Sequence, residues 1–264
     1  MTSVDAIVSK GQWAKSPMHL MRSDTLHRVS RDWKPSAFLE MGAGTGSLSQ
    51  EFVDRGFSGT LFDIGEQTCA RLRARFSTQS DRVRVIESLD GISAASVDYL
   101  FAFEVLEHIA DDRGALASWT PLLRQGGRIL MSVPAHARKF GPSDQRVGHV
   151  RRYEREQLRS LLESAGYTDV GIACYGFPLG TMSRIVGNVL QRGSKPELDP
   201  DPVARSIDSG MRQSEFVLRL GRFLKPWMLS PFLLTQRLAY ANELGEGYVA
   251  WGRRGPSSAI SNAR

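Results

Sequence analysis

Short apolar runs alternate with helical patterns along most of the chain. Seven runs have the hydrophobic density of buried strands, and they cover residues 38–41, 59–64, 83–87, 97–103, 128–134, 170–175 and 247–252. Between them, apolar residues recur at three- and four-residue spacing, as Leu48, Phe52 and Val53 do. This spacing predicts amphipathic helices. Strands that alternate with helices predict an α/β fold, with a doubly wound and mostly parallel sheet.

Three glycines at alternate positions follow the first strand. Glu40 lies near the end of that strand, and Gly42, Gly44 and Gly46 come directly after it. Glycine lets the backbone approach a ligand closely, and a strand, a glycine turn and a helix form the cofactor crevice of an open α/β sheet. A dinucleotide site expects Gly-x-Gly-x-x-Gly. Here the third glycine comes one residue early, which disfavours a nicotinamide oxidoreductase, and a glycine-rich turn without a ligand is the simpler alternative.

The run from Glu40 to Gly46 resembles the first motif of the class I S-adenosylmethionine (SAM)-dependent methyltransferases, Glu/Asp-x-Gly-x-Gly-x-Gly. This resemblance implies a seven-stranded Rossmann-like sheet whose seventh strand is antiparallel and lies between the fifth and sixth. It also implies SAM as cofactor and S-adenosylhomocysteine (SAH) as product. The resemblance covers about residues 38–176 and 247–253. The cofactor-binding residues it implies are Glu40, Gly42, Ala43, Gly44, Gly46, Asp63, Ile64, Ser88, Leu89, Phe103 and Glu104.

Asp63 follows the second strand, 19 residues after Gly44. An acid at this position is placed to accept hydrogen bonds from ribose hydroxyls, and in the resembled family it holds the SAM ribose. The alternative is an N-cap for the next helix. The resemblance places Ile64 along the adenine. Ser88 and Leu89 would contact the adenine as well, although this motif is weak and leaves open which residue meets the amino group.

The fourth strand ends in the run Glu104-Val105-Leu106-Glu107-His108, which is typical of the small-molecule branch of the same family. Phe103 and Glu104 would border the methionine part of SAM. His108 would face the pocket or cap the following turn, and the sequence leaves both open. Enzymes that methylate exocyclic amines of bases usually carry Asn/Asp-Pro-Pro-Tyr at this point, and that motif does not occur here.

The loop 135–153 leaves the fifth strand beside the expected position of the donor methyl group. His149 is the first candidate for a general base, because an imidazole titrates near neutral pH, and His108 is the second. The alternative for His149 is a histidine that orders the loop through hydrogen bonds. The arginines of the loop would either bind an anionic substrate or form a solvated face.

Composition narrows the picture only slightly. The chain has 264 residues and a net charge of +6, which by itself does not indicate nucleic-acid binding. Cys69 and Cys174 have no spacing that suggests a disulfide or a metal site, so we expect buried free thiols and no metal. The N-terminus has no signal-peptide pattern and no apolar run is long enough to span a membrane, which predicts a cytoplasmic protein.

The pattern divides the chain into four parts. We expect an N-terminal helical segment at 1–34, a SAM-binding domain at 35–176 and 247–254, a helical lid at 177–246 and a disordered tail at 255–264. The insertion 177–246 has an apolar face with a basic side, so docking on an anionic membrane surface and a dimer interface are the alternatives to a lid.

The predicted function is SAM-dependent methylation of a small molecule, most often at oxygen. A lipid-like, RNA or protein acceptor is the alternative, as is a SAM-fold binding protein without catalysis. Aromatic residues are not interleaved in a basic strip, which disfavours nucleic acid. The acceptor and the oligomeric state stay open.

Overall fold

The computed structural model describes residues 16–182 and 230–256. Its strands are β1 (Ala37–Met41), β2 (Ser58–Phe62), β3 (Val83–Ile86), β4 (Val97–Phe103), β5 (Leu123–Pro134), β6 (Tyr167–Tyr175) and β7 (Gly247–Arg254). Its α-helices are α1 (Pro17–Val29), α2 (Ser47–Asp54), α3 (Glu66–Arg75), α4 (Asp112–Trp119), α5 (Pro142–Val147), α6 (Arg155–Ser164) and α7 (Ser230–Leu238). Short 3₁₀ turns lie at Ser77–Gln79, Leu106–His108, Thr120–Leu122 and Ala137–Lys139.

The seven strands form one sheet in the order β3-β2-β1-β4-β5-β7-β6. The strands β1 to β5 pair in parallel. β7 lies between β5 and β6 and pairs with both in the antiparallel sense. The predicted α/β sheet, including the position of its last strand, is therefore confirmed.

The sheet is covered on both faces, which gives two hydrophobic clusters. One contains a chain of aromatic rings in which Phe38 and Phe101 stack with centroids 4.9 Å apart. The other surrounds Leu100, Ile129 and Tyr153, all fully buried. Because both faces are buried, the central strands are almost entirely apolar, as the sequence pattern indicated.

The fifth strand begins earlier than the sequence pattern predicts. Gly126 and Gly127, which precede the predicted strand 128–134, lie inside β5, because the strand already pairs with β4 at Leu123 and then shifts register. Gly126 has a φ of +72°, and a side chain on Gly127 would meet the Asp98 carbonyl oxygen at 2.9 Å. The two glycines therefore make a bulge, which an apolar pattern alone does not reveal.

Helix α1 lies over the sheet and contacts α7. Ser16 caps it, accepting a hydrogen bond from the His19 amide at 3.1 Å, and Pro17 occupies its first turn. Gln236 of α7 donates to the Met21 carbonyl oxygen at 3.0 Å, and Arg237 of α7 pairs with Asp24. The rest of the predicted lid, 183–229, and most of the predicted tail lie outside the described residues.

Candidate active site

The three glycines of the turn after β1 all have positive φ, but they face different surroundings. A Cβ on Gly42 would lie 2.7 Å from a methyl group of Val105, and one on Gly46 would lie 2.7 Å from Leu72. A Cβ on Gly44 would meet only the Gly42 carbonyl oxygen, at 4.0 Å. Gly42 and Gly46 therefore allow the turn to pack, whereas Gly44 leaves the backbone open to a ligand.

Asp63 ties this turn to the end of β2. One oxygen of its carboxylate accepts a hydrogen bond from the Gly44 amide at 2.9 Å, and the other accepts one from the Gly65 amide at 3.0 Å. The Ala43 amide also donates to the Phe62 carbonyl oxygen at 3.0 Å. Asp63 thus satisfies the amide of Gly65, which is itself the N-cap residue of α3, so the N-cap alternative for Asp63 is wrong. Each of its oxygens keeps a lone pair for a further donor.

The other predicted cofactor residues lie around the C-terminal ends of β1 to β4. Ile64 exposes 62% of its surface beside Asp63, although it is a large apolar residue. Ser88 is exposed and its hydroxyl accepts a bond from the Asp90 amide at 3.0 Å, while Leu89 packs against the core. Phe103 is buried at the end of β4.

Glu40 is buried beside the turn. Its carboxyl group accepts a hydrogen bond from the Ser49 hydroxyl at 2.6 Å. Burial raises its pKa to about 8, although the Ser49 bond opposes this, and the charge of Asp63 adds to it. The side chain therefore carries a proton at neutral pH in the ligand-free protein.

These residues fit SAM. The open backbone at Gly44, the remaining lone pairs of Asp63 and the exposed apolar side chain of Ile64 lie along one edge of the sheet. A nucleoside offers hydroxyl donors and an apolar ring face, which match a carboxylate followed by an exposed aliphatic residue.

The end of β4 carries a second group of polar residues. Glu104 has a φ of +56°, an uncommon conformation for a residue with a side chain. Its carboxylate accepts hydrogen bonds from the hydroxyls of Ser132 and Tyr175, at 3.0 and 3.2 Å, and pairs with Arg22 of α1 at 3.3 Å. Burial alone would raise the pKa of Glu104, but Arg22 and these donors hold it below its ordinary value.

The structure brings both predicted histidines together with Glu107. The rings of His108 and His149 meet edge to face with centroids 4.8 Å apart. His149 Nε2 lies 3.7 Å from Glu107 Oε1. Glu107 is fully buried, and neither of its carboxylate oxygens has a hydrogen-bond partner among residues 16–182 and 230–256. Burial, and then the charge of Glu104, raise the pKa of Glu107 well above its ordinary value. Burial, together with His149, lowers that of His108 to about 4.

His149 owes its position to a short, well-connected loop. Its Nδ1 lies 2.9 Å from Asp144 of α5, and its amide donates to the Asp144 carbonyl oxygen. Arg152 donates to the same carboxylate at 2.8 Å. Burial would raise the pKa of Asp144, but the bonds from His149 and Arg152 lower it. The next amide, that of Val150, donates to the Glu107 carbonyl oxygen at 2.8 Å, so this loop is attached directly to the end of β4.

Two of the loop arginines are held in ion pairs. Arg151 pairs with Asp112 at 2.6 Å and Arg152 with Asp144. Neither alternative offered from the sequence describes these two arginines, because two buried carboxylates need counter-charges. Arg138 of the same loop is exposed.

Several residues of this site were missed by sequence reasoning. Glu107 lies in the run from Glu104 to His108, but no role was predicted for it. Its spacing from Glu104 and its position next to His108 were visible in the sequence. Arg22 and Tyr175 come from distant parts of the chain, and no local pattern points to them.

Comparisons with known proteins agree with this geometry. A family model described as a methyltransferase domain matches residues 16–171. A ubiquinone biosynthesis O-methyltransferase of Xanthomonas axonopodis pv. citri is 31% identical over 125 residues, 45% of this chain and 52% of that protein. One of Idiomarina loihiensis is 34% identical over 99 residues, 36% and 41% of the two chains. The chain thus spans about half the length, or less, of these curated relatives.

Solved structures share the fold at low identity. The Haemonchus contortus phosphoethanolamine N-methyltransferase 2 in complex with SAM has a TM-score of 0.57 and 14% identity, covering 96% of this chain and 57% of that one. The N-methyltransferase NodS of Bradyrhizobium japonicum in complex with SAH has a TM-score of 0.54 and 15% identity, covering 91% and 89%.

The sheet order and the glycine turn define a Rossmann-like methyltransferase fold. The chain belongs to the methyltransferase-domain family, within the class I SAM-dependent methyltransferases, and SAM is its cofactor. Among the described residues, no helix is long and apolar enough to cross a membrane.

Proposed function

We propose that this enzyme transfers a methyl group from SAM to an oxygen atom of a small-molecule acceptor. The site at the end of β4 carries the proposal: His108 and His149 contact each other and His149 approaches Glu107, at the sheet edge that also holds the glycine turn. The relatives named as ubiquinone biosynthesis O-methyltransferases support oxygen as the acceptor atom.

In this proposal, backbone atoms of the glycine turn contact the cofactor, together with a few side chains, and side chains at the end of β4 contact the acceptor. Glu40, Gly42, Ala43, Gly44 and Gly46 form the wall beneath the donor. Asp63 accepts from the ribose, Ile64, Ser88 and Leu89 surround the adenine, and Phe103 and Glu104 border the methionine part. SAM supplies a methyl group already activated by a sulfonium, so the chain's own residues need to orient the acceptor, exclude water and remove a proton.

His149 is the proposed proton acceptor. Asp144 holds its Nδ1 at 2.9 Å, and this contact leaves Nε2 as the atom with a free lone pair. A carboxylate that orients an imidazole in this way stabilises the imidazolium formed when the ring takes a proton. In this role Nε2 accepts the hydroxyl proton of the acceptor, and His108 packs against the ring to fix its position.

The test is SAH release from labelled SAM with four acceptor panels: phenols and alcohols, carboxylic acids, amines, and a panel of vesicles, RNA and protein. We expect release with the hydroxyl panel, strongly reduced in Asp63→Ala at limiting SAM. Release with amines alone would contradict methylation at oxygen. Release only with vesicles, RNA or protein would move the acceptor to a macromolecule or a lipid-like molecule. SAH binding without release from any panel would favour a binding protein.

A further inference from the structure

Glu107 is a buried carboxyl group whose two oxygens have no hydrogen-bond partner within the described residues. A buried polar group without a hydrogen bond costs free energy, so its retention needs a reason. His108 and His149 lie close to Glu107. One ligand atom each from Glu107, His108 and His149 lie within 4.8 Å of one another. Three ligands around a cation with bonds of about 2.1 Å are spaced by about 3.0–3.4 Å, so the cluster needs only a modest contraction to form such a site.

Both histidines are held in the orientation of metal ligands. His149 Nδ1 faces the Asp144 carboxylate at 2.9 Å, and His108 Nδ1 faces the Gly148 carbonyl oxygen at 3.2 Å. Each of these acceptors favours a proton on Nδ1 and a lone pair on Nε2. Metal-binding histidines usually donate their second ring nitrogen to a carboxylate or a carbonyl in this way, which fixes the tautomer.

The charges around the cluster also leave room for a cation. Glu104 is paired with Arg22, and Asp144 is paired with Arg152. Within the described residues, the 3.7 Å approach of His149 is the one pairing contact of Glu107. Unlike the other two acids, Glu107 therefore has no arginine paired with it in this part of the chain.

One other group of potential ligands occurs in the described part of the chain: His136, Cys174 and Glu243. Its carboxylate is already engaged, because Glu243 accepts from Arg155 and Tyr248. This group therefore lacks the unpartnered acid that distinguishes the first, and it offers a matched control.

We propose that Glu107, His108 and His149 bind a divalent transition-metal cation, and that the acceptor oxygen takes one of its open positions. Two imidazoles and one carboxylate suit Zn²⁺, Mn²⁺, Co²⁺ or Fe²⁺ better than Mg²⁺ or Ca²⁺, which prefer oxygen ligands. This differs from the expectation of no metal, because the spacing of cysteines gives no indication of a His–Glu site.

The proposed role of the cation in methyl transfer deepens the proposed function and rests on it. The binding of the cation does not depend on that function. A hydroxyl group bound to the cation loses its proton to solvent water more readily, and the oxygen stays on the metal as an anion. When the cation is bound, His149 Nε2 is a ligand and the cation activates the acceptor oxygen, whereas proton acceptance by His149 describes the cation-free protein. Glu107 contributes only through the metal.

The test is direct cation binding by the full chain. The protein is stripped with EDTA, dialysed and titrated with Co²⁺, with visible absorption and calorimetry as readouts and Zn²⁺ as competitor. We expect one equivalent to bind. Asp144→Asn should weaken binding about 10–100-fold, as loss of an orienting carboxylate does, and Glu107→Gln should weaken it further. Cys174→Ser should leave it unchanged. SAH binding and circular dichroism, measured on each variant, report folding independently.

Saturable one-to-one binding that Glu107→Gln abolishes, in a variant that still folds, supports the site. Absence of stoichiometric binding by the wild type overturns it. So does binding that survives Glu107→Gln but is lost in Cys174→Ser, which would assign the cation to the second group. A protein that binds Co²⁺ through Glu107 but methylates no acceptor would contradict the proposed function and leave the metal site standing.

Discussion

Asp63 and Glu107 are both buried acids just beyond the C-terminal end of a parallel strand, but their surroundings differ. Both oxygens of Asp63 accept hydrogen bonds from backbone amides. Neither oxygen of Glu107 has a hydrogen-bond partner within the described ranges. The first acid holds the turn of the proposed cofactor region together. The second belongs to the proposed acceptor region, which is built from side chains, and its unmet bonding capacity is the basis for the proposed metal site.

The largest expected effect comes from a substitution in the proposed acceptor region, which should change turnover but not SAH affinity. His149→Ala should lower kcat about 10²–10⁴-fold, the usual contribution of a positioned acid–base group. SAH affinity should stay within about twofold of the wild type, because His149 is not among the proposed cofactor contacts. Single-turnover methyl transfer and calorimetry with SAH check the two halves.

The control for His149→Ala is His27→Ala, which removes a half-exposed histidine of α1 that pairs with Glu51 of α2. Equal turnover by His149→Ala and the wild type would exclude a role in proton removal. An equal loss of SAH affinity would show that the two regions are not separable.

The next largest effect comes from a substitution in the proposed cofactor region. Asp63→Ala removes the acceptor of two backbone amides and the proposed ribose ligand. A hydrogen bond to a charged group is worth about 1.5–3 kcal/mol, so SAH should bind about 10–150-fold more weakly. Calorimetry measures this, with Asp90→Ala, an exposed acid near the same edge, as control. Wild-type affinity in Asp63→Ala would leave this carboxylate with a structural role only.

Two alanine substitutions in the glycine turn should sharpen the comparison further. Both create strain of about 1–2 kcal/mol at positive φ. Gly46→Ala also places a methyl group 2.7 Å from Leu72, and overpacking adds about 1–3 kcal/mol. Gly46→Ala should therefore lower the melting temperature more than Gly44→Ala does. Gly44→Ala, by contrast, should lose SAH binding. Melting curves with and without SAH test this, and the reverse order would contradict the packing described for the turn.

The smallest effect concerns the pH dependence of stability. The pKa of Glu40 is about 8 in the folded protein, above its value in the unfolded chain. The unfolded state therefore gives up this proton first, and the contribution of Glu40 to stability falls as pH rises through 8. Between pH 7 and 9 this contribution to the free energy of unfolding falls by about 1 kcal/mol.

Glu40→Gln keeps a neutral side chain beside Ser49, so it should not show this part of the decline. Melting temperatures of the ligand-free wild type and Glu40→Gln at pH 7, 8 and 9 give the difference. Parallel curves would mean that Glu40 is already ionised at pH 7.

Local patterns were sufficient to predict the sheet and the glycine turn. Their signals are contiguous: apolar runs for the strands, and glycines at alternate positions for the turn, where Gly42 and Gly46 face packed side chains. The start of β5 was wrong because pairing between Leu123 and Val97 depends on a neighbouring strand, and a local pattern does not contain that information.

The acceptor region was only partly predictable. His108 and His149 could be predicted as candidate general bases, because both follow predicted strands whose C-terminal ends border the expected cofactor crevice. Their convergence on Glu107 depends on the path of the loop 135–153, and the charge on Glu104 depends on Arg22 from α1. Such long-range pairings arise from tertiary packing, which single-sequence patterns do not record.

The antiparallel strand β7 also determines when the molecule can be finished during synthesis. Residues 247–254 emerge from the ribosome after everything else in the sheet, yet they lie between β5 and β6. Until they arrive, two mostly buried strands have open edges that can pair with other chains. The nascent chain must therefore hold an unfinished sheet while about 70 further residues are translated.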